Sequence, residues 1–198
     1  FMSIASHELK TPLTSIKGYT QILERIIQQM GDERLNRYLQ RTNLYIDRLN
    51  SLIAELLDIS KIQAGKLNMY YEEFAFDDFI QESIESVQHL TSRHVIQLEG
   101  TVKGKLVGDR NRLEQVVSNL LTNAIKYSPR GKQIDVIVQR KKDAIEIGVR
   151  DYGIGISKKD QKSLFSRFYR VESAAKKFSG LGIGLYISAE IVKRHGGT

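Results

Sequence analysis

Four short clusters in the sequence hold residue types that could do chemistry together. The first is His7-Glu8, with Thr11 about one helical turn on and Pro12 beside it. It sets an imidazole, whose ordinary pKa is about 6.5, next to a carboxylate. Zinc chemistry of the HExxH kind would need a second histidine where Thr11 stands, so this cluster is not a metal site. The second is Asn119, Asn123 and Lys126, spaced by four and three, which places two amides and an ammonium on one helical face. Amide oxygens are hard ligands suited to Mg2+, and a lysine can neutralise phosphate oxygens. The third is Asp151, followed by Tyr152, Gly153, Ile154 and Gly155. An ionised carboxylate only accepts hydrogen bonds, so against a purine it selects the amino group of adenine over the carbonyl of guanine. The fourth is Gly180, Gly182 and Gly184, alternating with Leu181, Ile183 and Leu185 ahead of a helix, where backbone N–H groups can close on a phosphate.

Taken singly, each cluster also has an ordinary reading. A helical histidine is commonly a surface residue, an amide stripe a solvated face, and Asp with Gly a plain turn. The glycine spacing is neither a dinucleotide fingerprint nor a P-loop. Gly100 to Lys105 misses the P-loop too, having three residues between its glycines and no Ser or Thr after the lysine. Pro12 is less easily dismissed. Inside a helix it costs about 3 kcal/mol, so a kink or local loosening is expected beside His7.

The elements that must position these clusters differ between the two halves. From Met2 to Met30, apolar residues at Met2, Ala5, Leu9, Leu13, Ile16, Leu23, Ile27 and Met30 step by threes and fours, with Thr20 in the polar gap. This predicts a helix with one buried stripe, with His7 about 160° away and facing water. Gly31 suits a left-handed stop and Asp32 an N-cap. Leu35, Leu39, Thr42, Ile46, Leu49, Ile53 and Leu56 then resume the pattern. A second row at Tyr38, Tyr45, Leu52 and Ile59 makes the stripe too wide for one neighbour. Two hairpins from two chains are therefore expected to join as a four-helix bundle, a homodimer.

Residues 64–76 lack helical period and read as a linker. Beyond them the period alternates: a helix capped by Asp77 through about Thr91, strands at Val95 to Leu98 and Lys105 to Val107, and a helix from Asn111 to Tyr127 opened near Asp109. Paired strands follow at Gln133 to Arg140 and Ala144 to Arg150, then helices at Lys158 to Phe168 and Gly184 to His195. The predicted class is α+β: a helical hairpin over 1–63, then an α/β sandwich over 77–198.

Composition narrows the chemistry further. With no cysteine in 198 residues, thiolate metal sites, disulfides and thiol nucleophiles are excluded. The net charge of +7 favours anionic partners. Its lysines and arginines are nevertheless scattered and have no interleaved aromatic platform, so nucleic acid is not expected as a partner. No segment has the roughly 20 apolar residues of a membrane span. Phe1 begins inside a helical pattern without a cap, and Thr198 follows a Gly196-Gly197 turn. Both ends are expected to be truncated.

Together the clusters resemble the motifs of sensor histidine kinases. Phe1-Met2-Ser3-Ile4-Ala5-Ser6-His7-Glu8-Leu9-Lys10-Thr11-Pro12-Leu13-Thr14 resembles their H box, with Lys10 where arginine is frequent. Asn119 to Tyr127 resembles the N box, Asp151 to Gly155 the G1 box, Phe165 to Arg170 the F box and Gly180 to Leu185 the G2 box, all in family order. The resemblance implies a dimerisation and phosphotransfer hairpin followed by a GHKL-type ATP-binding domain whose last strands lie beyond Thr198. It makes His7 the phosphoacceptor, Glu8 its acid/base neighbour and Thr11 the residue that positions water for dephosphorylating the partner. It makes Asn123 the Mg2+ ligand, supported by Asn119, and places Lys126 on phosphate and Tyr127 near the nucleotide. Asp151 would take the adenine amine, with Gly153 and Gly155 shaping its loop. Gly180, Leu181, Gly182 and Gly184 would form the phosphate lid, with Arg167 and Arg170 as helpers.

The implied cofactors are ATP and Mg2+, and the implied partner is the receiver domain of a response regulator. This part of the chain is expected in the cytoplasm, the whole protein being membrane-anchored. Two other readings share these features. One is a dimeric signalling scaffold with a degenerate ATP site, against which the intact Asn123, Asp151 and motif glycines speak. The other is a chaperone, topoisomerase or mismatch-repair ATPase, which would lack the histidine hairpin.

Overall fold

In the computed structural model the backbone is described for residues 2–175, 178 and 180–198, and side chains for the same residues from Pro12 onward. The chain forms two compact units, Phe1–Leu67 and Asn68–Thr198.

The first unit is a hairpin of α1 (Met2–Met30) and α2 (Glu33–Gln63). α1 runs through Pro12 as one helix. Gly31 turns the chain with φ +67, a left-handed value that glycine adopts without steric cost. Asp32 then caps α2 by accepting from the backbone N–H groups of Arg34 and Leu35. Within one chain the buried seam is narrower than the apolar stripe. Leu13 packs with Ile46 and Ile53, extended by buried Thr20 and Leu39, while Lys17 pairs with Asp47 at 2.6 Å. Ile16, Leu23 and Met30 of the expected α1 stripe are exposed instead, as are Leu35, Leu49 and Leu56 of α2. The reason is geometric: two helices share one seam, and 3.6 residues per turn carries the remaining apolar positions around to the far side. Tyr38 and Tyr45 of the second row are exposed with them.

The second unit runs β1 (Glu72–Ala75), α3 (Phe76–Gln88), β2 (Val95–Glu99), β3 (Lys105–Gly108), α4 (Arg110–Tyr127), β4 (Gln133–Lys141), β5 (Ala144–Asp151), α5 (Lys158–Gln161), α6 (Glu172–Ala175) and α7 (Gly184–Arg194). β4 is the central strand, parallel to β2 and antiparallel to β5, while β1 and β3 form a separate antiparallel pair. α3 and α4 lie on one face of the larger sheet. Phe76, Phe79, Ile80 and Val87 of α3 meet Val117, Leu121 and Ala124 of α4 over Ile134, Val136 and Val138 of β4. Burial of such side chains contributes about 1.5–3 kcal/mol each, making this the unit's main source of stability.

Local polar groups fix both ends of α4. Asp109 accepts from the backbone N–H of Arg112 at 3.0 Å and of Tyr70 at 2.8 Å, so one carboxylate caps the helix and holds the incoming chain. At the other end, the buried Ser128 hydroxyl donates to the Ala124 carbonyl, and the His94 ring Nε2 contacts the Ser128 carbonyl at 2.8 Å.

Several expected boundaries move. Residues 72–75 of the expected linker are strand β1, a segment too short to display its period. Asp77 is not an N-cap; it lies in the first turn of α3 and accepts from the Thr101 hydroxyl and the Val102 N–H. The helix expected from Lys158 to Phe168 stops at Gln161. Its continuation is a run of i to i−3 turns, Ser163 to Asp160 and Ser166 to Ser163, reaching Phe168 at φ +61. α6 was not anticipated.

Candidate functional site

α4 is the hub of the candidate site. Its face carrying Asn119, Asn123 and Lys126 meets the glycine run at the start of α7. Asn119 donates to the Ser188 hydroxyl at 2.9 Å and accepts from the Asn123 amide at 3.2 Å. Gly184 lies so close that a Cβ there would stand 2.3 Å from Asn119 Oδ1. One turn further on, the Lys126 ammonium would be 3.2 Å from a Cβ on Gly180, whose φ is +143. Lys126 also lies 4.8 Å from the centre of the Tyr127 ring, and no carboxylate among the described residues pairs with it. Among the described residues, Asn123 therefore presents a carbonyl oxygen with no donor and Lys126 a cation with no anion.

The segment after β5 docks on the same helix through its last residue. The Tyr127 carbonyl accepts from the Ile154 N–H at 3.1 Å. A Cβ on Gly153 would lie 2.2 Å from that carbonyl oxygen. Asp151 curls over the turn to accept from the Gly153 N–H at 2.9 Å, and the residue is exposed. Gly155 has φ +69 and open space around it.

The segment from 165 to 170 closes the cluster from the other side. A Cβ on Gly182, at φ +72, would lie 2.4 Å from the Tyr169 carbonyl oxygen and 2.8 Å from Arg170 Cγ. Tyr169 is held in turn by its hydroxyl on Asp160 at 2.7 Å. The Ser157 hydroxyl, followed by that of Tyr169, holds the Asp160 carboxyl below its usual range. Arg170 donates to the carbonyls of Ala175 and Phe178, so its guanidinium is engaged by the main chain. Phe178 packs edge-on against Tyr127, ring centres 5.0 Å apart, and Leu181 is half-buried between the glycines.

Sequence reasoning missed Ser188, Phe178 and the pair Asp135 with Tyr152. Ser188 could have been found, since it stands one turn beyond Gly184 on the same helical face. Asp135 is almost sealed from solvent at 1% exposure. The Tyr152 hydroxyl donates to it at 2.7 Å and the Gln133 amide at 2.6 Å. These bonds, Tyr152 first, hold the Asp135 carboxyl below its usual range, while the same contact pushes the Tyr152 phenol up. The contribution of Asp135 to stability is therefore complete above its unfolded pKa of about 3.9 and is lost as pH falls through its lower folded value. Asp135→Asn should accordingly flatten the acid limb of a stability-versus-pH curve below about pH 4, measured by denaturant melts. An acid limb as steep as the parent's would contradict this assignment.

The side chains of His7, Glu8 and Thr11 lie outside the described residues; their backbone belongs to α1. No described helix is long and apolar enough to cross a membrane.

The donor set fits a nucleotide and a hard cation. A free amide oxygen suits Mg2+, an unpaired ammonium suits phosphate, and backbone approaches closed to any Cβ suit a ligand held by main-chain N–H groups. Comparison with known proteins identifies two domains. Residues 1–65 match the family model of the His Kinase A (phospho-acceptor) domain. Residues 108–198 match that of the histidine kinase-, DNA gyrase B- and HSP90-like ATPases. The sensor histidine kinase WalK of Bacillus subtilis is 33% identical over all of this chain and 33% of its own length. The signal transduction histidine-protein kinase ArlS of Staphylococcus haemolyticus is 33% identical over all of this chain and 44% of its own. The chain thus spans less than half the length of these relatives. Among solved structures, the histidine kinase AdeS of Acinetobacter baumannii superposes with a TM-score of 0.61 at 26% identity, over 94% of this chain and 86% of that one.

Proposed function

The chain belongs to the sensor histidine kinases, and on that premise we propose that it phosphorylates its own His7 from Mg-ATP and passes the phosphoryl group to an aspartate on the receiver domain of a response regulator. The observation that carries this reading is the convergence of Asn119, Asn123 and Lys126 with Gly180 and Gly184 on one side, and of Tyr127 with Gly153 on the other. It supplies an amide, an ammonium and main-chain approaches where a triphosphate would be held.

Each residue then has a task. The exposed Asp151 oxygen accepts from the adenine amino group, and Tyr127 packs beside the base. Lys126 neutralises phosphate oxygens, and Asn123, held by Asn119 and Ser188, offers its carbonyl oxygen as a ligand. Mg2+ bound there would screen the charge of the phosphates. A neutral ring nitrogen of His7 attacks the γ-phosphorus in line; the N–P bond forms as the P–O bond to ADP breaks, and Glu8 takes the proton of the other ring nitrogen. Thr11 positions a water for the reverse task of dephosphorylating the regulator. The protein's contribution is mostly positioning and charge neutralisation.

The exposed rows Ile16, Leu23, Leu35, Tyr38, Tyr45 and Leu49 support pairing of two hairpins as a four-helix homodimer, since so large an apolar face is costly in water. We place this part of the chain in the cytoplasm, the compartment that supplies ATP, with the whole protein anchored at the membrane.

Titration of a fluorescent ATP analogue tests the pocket. The parent should lose at least tenfold in affinity when Mg2+ is chelated. Asn123→Ala should bind about tenfold more weakly with Mg2+ present and be nearly indifferent to chelation, as a lost charge-assisted ligand implies. Equal Mg2+ dependence in parent and variant would refute the assignment of Asn123.

A further inference from the structure

Asp135 stands on the face of β4 opposite its core residues Ile134 and Val136, directly across from Arg150 of β5. A carboxylate on the outer face of a sheet is ordinarily solvated. Here it is buried, and both its oxygens are engaged, one by Gln133 and the other by Tyr152. Tyr152 is the first residue after β5 and lies between Asp151 and Gly153. The G1 segment is thus pinned from two sides. Tyr152 ties it to the sheet through Asp135, while Gly153 and Ile154 tie it to the end of α4 through the Tyr127 carbonyl. Asp151, whose carboxylate already bonds the Gly153 N–H, is caught between the two attachments and has little freedom to swing.

We infer that Tyr152 and Asp135 form a positioning pair that fixes the aim of the Asp151 carboxylate, and so sets the preference of the pocket for adenine over guanine. The inference rests on the reading of Asp151 as the adenine contact. Tyr152 is itself half-exposed, so the pair is no part of the hydrophobic core, and Tyr152→Phe should leave the fold intact. A hydrogen bond to a buried charge is among the stronger kinds, and losing it frees the loop on the sheet side while the attachment to α4 stays intact.

The test compares binding of non-hydrolysable ATP and GTP analogues by the whole chain, parent against Tyr152→Phe. The ring is kept, so the fold should be retained, with the melting temperature without nucleotide lowered by no more than about 8 °C, as one lost hydrogen bond to a buried carboxylate implies. Affinity for the ATP analogue should fall roughly five- to tenfold, in the range of one charge-assisted hydrogen bond, while that for the GTP analogue barely moves, so the preference narrows by the same factor. Asp135→Asn keeps an acceptor for the phenol and should lose less. An unchanged ATP affinity in Tyr152→Phe, or an equal loss for both nucleotides, would overturn the inference. Asp151→Asn separates the two layers. If it leaves both affinities untouched, the adenine reading fails and this inference with it. If it abolishes the preference while Tyr152→Phe does nothing, the positioning role alone fails.

Discussion

Replacing His7 by glutamine is expected to abolish acid-labile phosphorylation of the chain, a loss of at least about a thousandfold, while ATP affinity stays within about twofold of the parent. The size of the effect follows from the role. A glutamine amide is neutral and non-nucleophilic, so nothing remains to form the N–P bond, and loss of a nucleophile of this kind costs several orders of magnitude. Binding should be spared because every residue proposed to hold the nucleotide comes from the second unit, from Asn119 to Ser188. Glutamine is also a good helix former, so α1 keeps its backbone. Label counted after gel separation and acid treatment, beside an equilibrium binding curve, checks both halves of the expectation.

Gly153→Ala should be among the most damaging single methyls in the pocket. A Cβ there would lie 2.2 Å from the Tyr127 oxygen, 2.7 Å from the Tyr127 carbonyl carbon and 2.7 Å from Asp151 Oδ1. Two of these atoms are backbone at the end of a core helix and cannot swing away as a flexible side chain would. The segment must lift off α4, taking Asp151 with it. Overpacking of this kind costs about 1–3 kcal/mol, and because the displaced atoms include the proposed adenine contact, most of it should emerge as a fall in ATP affinity of about 5- to 150-fold. Gly155→Ala, two residues on, provides the contrast. Open space surrounds it, so it meets only the cost of a left-handed φ, about 1–2 kcal/mol. Nucleotide titrations of the two variants should rank Gly153→Ala the weaker binder.

What could be read in advance followed the length of the pattern. α1, with its stop at Gly31 and the cap at Asp32, was legible because the apolar steps persist over many turns and the punctuation is local. The strands β4 and β5 were legible from their strict alternation. β1 was not, because it has four residues and only Phe74 packs toward the core. The segment after Gln161 imitates an amphipathic helix through Leu164 and Phe165, yet the left-handed Phe168 and the packing of Tyr169 against Gly182 favour turns. Tertiary contact decides there, and sequence period does not report it.

In the site, the Asn119, Asn123 and Lys126 face emerged from helical spacing alone, since it is a property of one element. Asp135 with Tyr152 could not, because their meeting depends on how β4 and β5 pair and on where the chain turns after Asp151. Arg170 was expected to help at the nucleotide, and its guanidinium is found on the carbonyls of Ala175 and Phe178. A long cation can serve a ligand or its own loop, and composition does not distinguish the two.

On the proposed mechanism, a nucleotide bound in one unit phosphorylates a histidine of the other. The most direct measurement is to incubate the protein with ATP labelled at the γ position and Mg2+, and to map the label at neutral or alkaline pH by peptide mass spectrometry. One phosphoryl group on His7, labile to acid and stable to alkali, is the predicted result. ATP turned over with no label on the chain, or label that is acid-stable and carried by a serine, threonine or tyrosine, would contradict it.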